Sequence, residues 1–254
     1  MSPTLRVAEL IGGAEDSFVT ADRGPVRFII INRPSARNAL TRQMRRDFPS
    51  IVAAADNDPA ISVVILTGAD PAFSAGVDIK DRVSGGPVPL IIPNPAEVLR
   101  AAKKPVIAAV NGACATGALE MALSCSFVIA SEQARFADTH AKIGIVPRWG
   151  QIILLPRAIG RRRATQLMLT GEFIDARTAL TWGLANELVA PDVLLDRCLT
   201  IAMAIAGANP ECIGLELAAI RRVEAAAAAE GFDFEREALA SYDASAGMSP
   251  KRSS

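Results

Sequence analysis

The stretch that decides the fold is VIAAVNGACATGALEMALSCSFVIA, residues 106–130. It consists of the apolar run Val106–Val110, a turn at Asn111-Gly112, a helical pattern over Gly117–Cys125 and the apolar run Phe127–Ala130. Continuous apolar runs of this length are typical of strands that are covered on both faces of a sheet. The order strand, turn, helix and strand therefore predicts an α/β fold in which helices connect the strands of a sheet.

The residues before this stretch show the same order. Apolar runs at Val26–Ile31 and Val63–Leu66 are expected to be strands. Between them, Thr41 is a candidate N-cap for a helix that runs to about Ala55, with a bend or an interruption at Pro49. This repetition supports the α/β assignment.

The chain beyond Leu154 is expected to be mostly helical. The predicted C-terminal helices lie at Arg161–Leu169, Asp175–Trp182, Pro191–Ala206, Glu211–Ala229 and Phe234–Tyr242. The segment from Arg82 to Pro95 is rich in glycine and proline, and we expect a surface loop near a site there.

Composition excludes several classes of protein. Half of the 254 residues are hydrophobic, which excludes a disordered chain, and 27 basic residues balance 27 acidic ones, which argues against a nucleic-acid-binding protein. No apolar run reaches the length of a membrane span, and no signal peptide is expected at the start of the chain. The four cysteines form no CxxC pair and His140 is the single histidine, so we expect no metal site. A cytoplasmic location is expected.

Glu120 is the acidic residue of an otherwise apolar segment, Ala118–Leu123. Burial of an unpaired carboxylate is unfavourable or forces its pKa upward. A buried acid of this kind is either paired structurally or held for proton transfer, and the residues alone leave both interpretations open.

Two glycine-containing turns could bring backbone N–H groups to the same site. Gly117 lies three residues before Glu120, at the expected N-terminus of the helix, where N–H groups are free and the helix dipole is positive. The alternative is that Gly117 only packs against a strand. The turn Phe73–Asp78 follows the predicted strand Val63–Leu66 and is a second candidate for ligand contacts. An oxyanion donor beside a proton-transfer group is what a reaction through an enolate requires.

Several segments between about Phe18 and Val189 resemble the crotonase (enoyl-CoA hydratase/isomerase) superfamily. The matching segments are Asn32-Arg33-Pro34 with Asn38-Ala39-Leu40, Leu66-Thr67-Gly68 with Phe73–Lys80, Lys104–Gly112, Phe136-Ala137-Asp138 with Gly144–Pro147, and Gly171-Glu172 with Gly183–Asn186. The resemblance implies a spiral of repeated ββα units with a helical C-terminal region, and assembly as a homotrimer or a dimer of trimers. It also implies a core for acyl-CoA binding and catalysis at residues 1–195 and a helical oligomerisation region at residues 196–254.

The resemblance assigns roles to four residues. The family's oxyanion hole falls on the backbone N–H groups of Val77 and Gly117, and Glu120 matches the first catalytic glutamate of the hydratases, a base that activates water. His140 stands where hydratases have their second glutamate. It could supply the Cα proton, since imidazole titrates around neutral pH. The alternative is a structural histidine that is hydrogen-bonded to Asp138 or to Thr139.

The resemblance also implies the residues that border coenzyme A. They are Ala36, Arg37, Asn38, Ala75, Val77, Asp78 and Ile79. Arg37 could pair with a phosphate, because a guanidinium suits that geometry, and a solvated arginine is the alternative. Coenzyme A is part of the substrate, so no separate cofactor is expected. Arg148-Trp149 stands where the family usually has small residues, so a reshaped acyl end of the pocket is expected.

The function implied by these matches is that of an enoyl-CoA hydratase-like lyase, which adds water to trans-2-enoyl-CoA and gives 3-hydroxyacyl-CoA. A double-bond isomerase, which needs one base and no water, is the first alternative. Other crotonase reactions stay open, because the scaffold stabilises any thioester enolate. A non-catalytic acyl-CoA-binding protein is the alternative from a different class.

Overall fold

The computed structural model of the protein describes residues 4–84 and 93–238. Within these ranges the strands are β1 Phe18–Arg23, β2 Val26–Ile31, β3 Val63–Gly68, β4 Ala72–Ser74, β5 Val106–Val110, β6 Ala113–Ala115, β7 Phe127–Ser131, β8 Arg135–Ala137, β9 Ile174–Asp175 and β10 Glu187–Val189. The α-helices are α1 Val7–Ile11, α2 Arg42–Asn57, α3 Ile79–Ser84, α4 Pro95–Ala101, α5 Gly117–Ser124, α6 Gln151–Ile159, α7 Arg161–Thr170, α8 Ala176–Trp182, α9 Leu194–Ala206 and α10 Pro210–Ala238. Short 3₁₀ turns occupy Pro34–Ala36, Ala141–Ile143 and Pro191–Val193.

Two sheets share these strands. The larger has the order β1-β2-β3-β5-β7-β10 and the smaller β4-β6-β8-β9. The neighbours are parallel except for the pairs β1–β2 and β8–β9. In the units β3-β4-α3 and β5-β6-α5, the first strand lies in the large sheet and the second in the small one, and a helix follows. The predicted α/β fold of repeated ββα units with a helical C-terminal region is confirmed.

The core lies on both faces of the large sheet, which explains the continuous apolar runs. In β2, Ile29 and Ile31 point to one face and Phe28 and Ile30 to the other, and all four are fully buried. Helices α2, α4 and α5 cover the first face, and α9 covers the second with four buried residues. The boundary expected at residue 195 falls inside α9, which packs as one helix against the sheet.

Two helix predictions need correction. Helix α2 begins after Thr41, whose Oγ1 accepts from Met44 N at 3.2 Å, as predicted, but it continues through Pro49 to Asn57 without interruption. The two helices expected near the C-terminus are one helix, α10, which runs through Gly231. Its apolar contacts with α6 hold this stretch helical, as at Ile153, which lies against Gly231.

Only part of the loop predicted from Arg82 to Pro95 lies within the described residues. Helix α3 extends to Ser84, and Asn94 caps α4 through a capping box with Glu97. The residues between, 85–92, lie outside the described part of the chain, as do residues 239–242 of the last predicted helix.

Across the described ranges, no single helix has both the length and the apolar character to cross a membrane. One bent pair, Pro191–Ala206 with Pro210–Asp233, passes that test when the two are taken together, by length and composition only.

Candidate active site

The candidate site lies where helix α5 begins. Gly117 is its first residue, as the sequence predicts. The preceding residue, Thr116, donates its backbone N–H to Ala137 O at 3.0 Å, so the start of α5 is tied to the end of β8. This contact brings the loop after β8, which carries His140, to the N-terminal end of α5.

The turn after β4 packs directly on this helix start. A Cβ built on Gly76 would lie 2.1 Å from Thr116 Oγ1 and 3.0 Å from Gly117 N, and Gly76 has a φ of 87°, so only glycine fits here. Among the hydrogen bonds of residues 4–84 and 93–238, neither Val77 N nor Gly117 N has an acceptor. The two predicted oxyanion donors are thus adjacent in space, and both have a free N–H.

Thr116 has an unusual backbone conformation, with φ 53° and ψ −122°. A β-branched residue is strained there, at a cost on the order of 1–3 kcal/mol. Its hydroxyl oxygen lies 3.0 Å from Ala75 O and 2.7 Å from Ala115 O, and its single proton can reach either carbonyl. The hydroxyl therefore connects the turn that carries Val77 to the helix start that carries Gly117.

Glu120 is buried, with 2% of its surface exposed. Its Oε1 accepts from the backbone N–H of Trp149 at 2.7 Å and of Gln151 at 3.4 Å. Burial raises the pKa of the Glu120 carboxyl, although His140 and these two N–H groups act in the opposite direction. One carboxylate oxygen is thus fixed by backbone, and the other, Oε2, faces His140.

His140 is also buried and lies between two carboxylates. Its Nε2 is 3.7 Å from Glu120 Oε2, and its Nδ1 is 2.5 Å from Asp138 Oδ1. The hydrogen bond to Asp138, expected of a structural histidine, and the closeness to Glu120, expected of a catalytic one, are therefore both present.

Trp149 forms a wall of the site. A Cβ built on Gly117 would lie 2.8 Å from Trp149 Cζ3, so the indole covers the first turn of α5 and would have to shift if residue 117 had a side chain. The Trp149 carbonyl accepts from Arg100 Nη1 at 2.7 Å, and the same nitrogen donates to Ser124 Oγ at 2.9 Å. Arg100 thereby braces the loop that holds Glu120.

Both segments predicted to border coenzyme A lie side by side. Ala75 N donates to Arg37 O at 2.9 Å, and Leu40 N donates to Gly76 O at 2.7 Å. Asp78 N donates back to Leu40 O at 3.0 Å. The structure therefore brings Ala36, Arg37 and Asn38 next to the turn that carries Val77.

The side chains in these two segments differ in their exposure and in their hydrogen-bond partners. Arg37 is exposed, whereas Asn38 is fully buried and its amide donates to Ala69 O and Ala72 O at 2.7 and 2.6 Å. Asp78 pairs with Arg33 at 2.5 Å. Partial burial alone would raise the pKa of Asp78, but the bond to Arg33 and the backbone N–H groups that follow outweigh it and lower the pKa. Asn38 and Asp78 thus hold the loops together, and Arg37 is the residue whose charge faces solvent.

Sequence reasoning missed the hydroxyl contact of Thr116 and the buried amide of Gln151. The Gln151 amide is fully buried, and within the described residues neither of its polar atoms has a partner. No local sequence pattern marks either of these features. In the described part of the chain, no group of three or more His, Cys, Asp or Glu side chains is placed to share a metal ion.

The fold and this site define the class of protein. The sequence model of the enoyl-CoA hydratase/isomerase family matches residues 22–251. The chain belongs to this family.

Curated relatives and solved structures agree with that assignment. A probable enoyl-CoA hydratase from Rhizobium meliloti is 36% identical over 226 residues, which cover 87% of each chain. The short-chain-enoyl-CoA hydratase of Clostridium acetobutylicum is 35% identical, over 82% of each chain. The crystal structure of an enoyl-CoA hydratase from Mycobacterium avium superposes with a TM-score of 0.82 at 40% identity, over 89% of this chain and 96% of that one.

Proposed function

We propose that this chain is an enoyl-CoA hydratase, which adds water across the Cα=Cβ bond of a trans-2-enoyl-CoA and yields a 3-hydroxyacyl-CoA. One observation carries the proposal. The backbone N–H groups of Val77 and Gly117, which have no acceptor among the described residues, lie at the start of the helix whose first turn holds the buried carboxyl of Glu120.

The two N–H groups would bind the thioester oxygen. Attack on Cβ moves charge onto that oxygen as an enolate forms, and donors that are fixed beforehand stabilise it without reorganisation. Loss of one such donor typically costs about 2.7–4 kcal/mol of barrier. The positive end of the α5 dipole adds to the same effect at Gly117.

Glu120 and His140 would move the two protons. Oε1 of Glu120 is held by Trp149 N–H, which leaves Oε2 to take a proton from the attacking water. The raised pKa of Glu120 makes its carboxylate a stronger base than an exposed one. His140 would give a proton to Cα, the role that a second carboxylic acid has in the typical hydratase.

Two adjacent loops would hold coenzyme A. Their residues are Arg37 with Ala36 and Asn38 in one loop, and Ala75, Val77, Asp78 and Ile79 in the other. Exposed Arg37 would pair with a phosphate. Coenzyme A enters as part of the substrate, and the reaction as written needs no other cofactor. Trp149 would limit the acyl group on the far side of Gly117.

The assembly is proposed to be a homotrimer or a dimer of trimers. Large apolar side chains on the C-terminal helices support it, because Leu169, Leu215 and Val223 are 75%, 65% and 70% exposed. A cytoplasmic location is proposed as well, and the four free cysteines fit a reducing compartment.

Product analysis tests the function. The protein would be incubated with a chain-length panel of 2-enoyl-CoAs and, separately, with 3-enoyl-CoAs, and the products identified by mass. We expect addition of one water to 2-enoyl-CoA. Conversion of 3-enoyl-CoA to its isomer without any gain of water would identify a double-bond isomerase instead, and tight binding with no product would identify a non-catalytic acyl-CoA-binding protein.

A further inference from the structure

His140 makes a short polar contact with Asp138. Asp138 Oδ1 lies 2.5 Å from His140 Nδ1 and 3.0 Å from its backbone N–H. Asp138 is 1% exposed and His140 5%. One carboxylate oxygen therefore fixes both the backbone and the ring of the same residue, away from water.

This contact determines which ring nitrogen carries a proton. A carboxylate only accepts, so the hydrogen bond at Nδ1 requires Nδ1–H. The other nitrogen, Nε2, is then the one that can gain or lose a proton, and it lies 3.7 Å from Glu120 Oε2. The ring thus places its exchangeable proton beside the carboxyl group proposed as the base.

The charged groups around the ring favour the protonated form. Two carboxylates face the imidazole, Glu120 from α5 and Asp138 from the loop after β8. The ammonium of Lys142, two residues further along the chain, donates to Gly171 O at 2.8 Å. Negative charge beside an imidazole stabilises the imidazolium.

We propose that Asp138 is a positioning residue of the reaction, which holds His140 with Nδ1 protonated and directs Nε2–H as the acid for Cα. The inference rests on the proposed hydratase function. In hydration, the water oxygen bonds to Cβ and one water proton goes to Glu120 Oε2. The Nε2–H bond of His140 breaks as the Cα–H bond forms. One proton passed from Glu120 Oε2 to His140 Nε2 then restores both groups.

A double-mutant cycle tests whether Asp138 acts through His140. Asp138→Asn, His140→Ala and the double variant would be compared by kcat and KM on the best 2-enoyl-CoA. We expect Asp138→Asn to lower kcat roughly tenfold or more, with little change in KM. In the His140→Ala background the same substitution should change kcat less than about twofold, because residues that act as a unit are not additive. Equal losses in both backgrounds, or no loss in either, would overturn the proposal.

Nuclear magnetic resonance of the imidazole gives a readout without activity. His140 is the only histidine of the chain, so a single imidazole titrates. We expect the neutral ring to carry its proton on Nδ1 and its titration midpoint to move to lower pH in Asp138→Asn. Asp192→Asn, which removes an exposed carboxylate elsewhere, should leave the midpoint unchanged.

The two experiments separate the two claims. A wild-type protein that hydrates no enoyl-CoA would overturn the proposed function, whereas the imidazole titration still decides whether Asp138 controls His140. A neutral wild-type ring protonated on Nε2 would overturn the inference about Asp138 even if the protein is a hydratase. This wild-type result decides the question also if Asp138→Asn does not fold.

Discussion

The carboxyl group of Glu120 is removed from water on a helix that is otherwise apolar, and among the described residues its partners are two backbone N–H groups and His140. Burial raises its pKa in the folded protein above the value in the unfolded chain. The contribution of Glu120 to the free energy of unfolding is therefore largest below the unfolded pKa, and it is lost as pH rises through the folded pKa. The ionised form of Glu120 is therefore held at the expense of stability.

Glu120→Gln should accordingly stabilise the protein at neutral and higher pH. Glutamine keeps an oxygen for Trp149 N–H but cannot ionise. We expect the free energy of unfolding in urea to exceed that of the wild type by on the order of 1 kcal/mol above the folded pKa, and the difference to shrink as pH falls through it. Glu172→Gln, at an exposed position, is the control and should show no such difference. A pH-independent difference for Glu120→Gln would contradict the explanation.

Thr116 offers a second test at this scale. Its backbone strain lowers the stability of the protein, whereas its hydroxyl contact is expected to support turnover. Thr116→Gly removes the strain at φ 53° together with the hydroxyl near Ala75 O, whereas Thr116→Ser keeps the hydroxyl. We expect Thr116→Gly to be at least as stable as the wild type in urea but roughly tenfold lower in kcat. Thr116→Ser should stay within about twofold of the wild-type kcat. Wild-type turnover in Thr116→Gly would show that the hydroxyl contact is not needed.

The sequence alone was enough to predict which residues belong to the candidate site, but not which of them contact one another. Glu120 and Gly117 share a helix, so their spacing was predictable from periodicity. The distances among Glu120, Asp138 and His140 depend on how β8 packs beside α5, which no local pattern contains. The fold was needed to show that His140 contacts both carboxylates.

At the scale of elements, the four central strands of the large sheet were predictable, and its two edge strands and the small sheet were not. Strands β2, β3, β5 and β7 have five or six residues each, and most of these residues are apolar. Strands β4, β6, β8 and β9 have two or three residues each and carry no periodicity long enough to detect. These short strands nevertheless fix the site, because the turn after β4 and the helix after β6 carry the two free N–H groups.

The contact between the Arg37 loop and the turn after β4 leads to a prediction about coenzyme A. Arg37→Ala should raise KM for an enoyl-CoA roughly tenfold, since a charge-assisted hydrogen bond contributes about 1.5–3 kcal/mol. KM for a truncated enoyl thioester that lacks the nucleotide should not change. Arg46→Ala removes an exposed arginine from α2 and serves as the control. An equal increase in KM for both substrates would place Arg37 away from the nucleotide.

At the scale of the whole molecule, the C-terminal helices expose apolar side chains that a single chain leaves uncovered. Leu215, Ile220 and Val223 of α10 are each at least 65% exposed, and Leu169 of α7 is 75% exposed. Large exposed apolar side chains of this kind are candidates for burial in an interface. The sequence predicted two helices, Glu211–Ala229 and Phe234–Tyr242, where the structure has the single helix α10.

Sedimentation velocity tests the assembly. We expect the wild type to sediment as a trimer or a dimer of trimers, and the Leu215→Glu, Ile220→Glu double variant to dissociate, because charge is then buried in an apolar interface. Gln133→Glu adds the same kind of charge at an exposed turn of the core and should leave the assembly intact. A monomeric wild type would contradict the proposed assembly.

The measurement that tests the central claim most directly is the loss of conjugated enoyl-thioester absorbance with 2-enoyl-CoA, for the wild type beside Glu120→Gln. We predict rapid loss in the wild type and a rate at least about a hundredfold lower in the variant, with acyl-CoA binding retained in both. No loss in the wild type with any chain length, while acyl-CoA still binds, or equal rates in the two proteins, would contradict the assignment of Glu120 as the base of a hydratase.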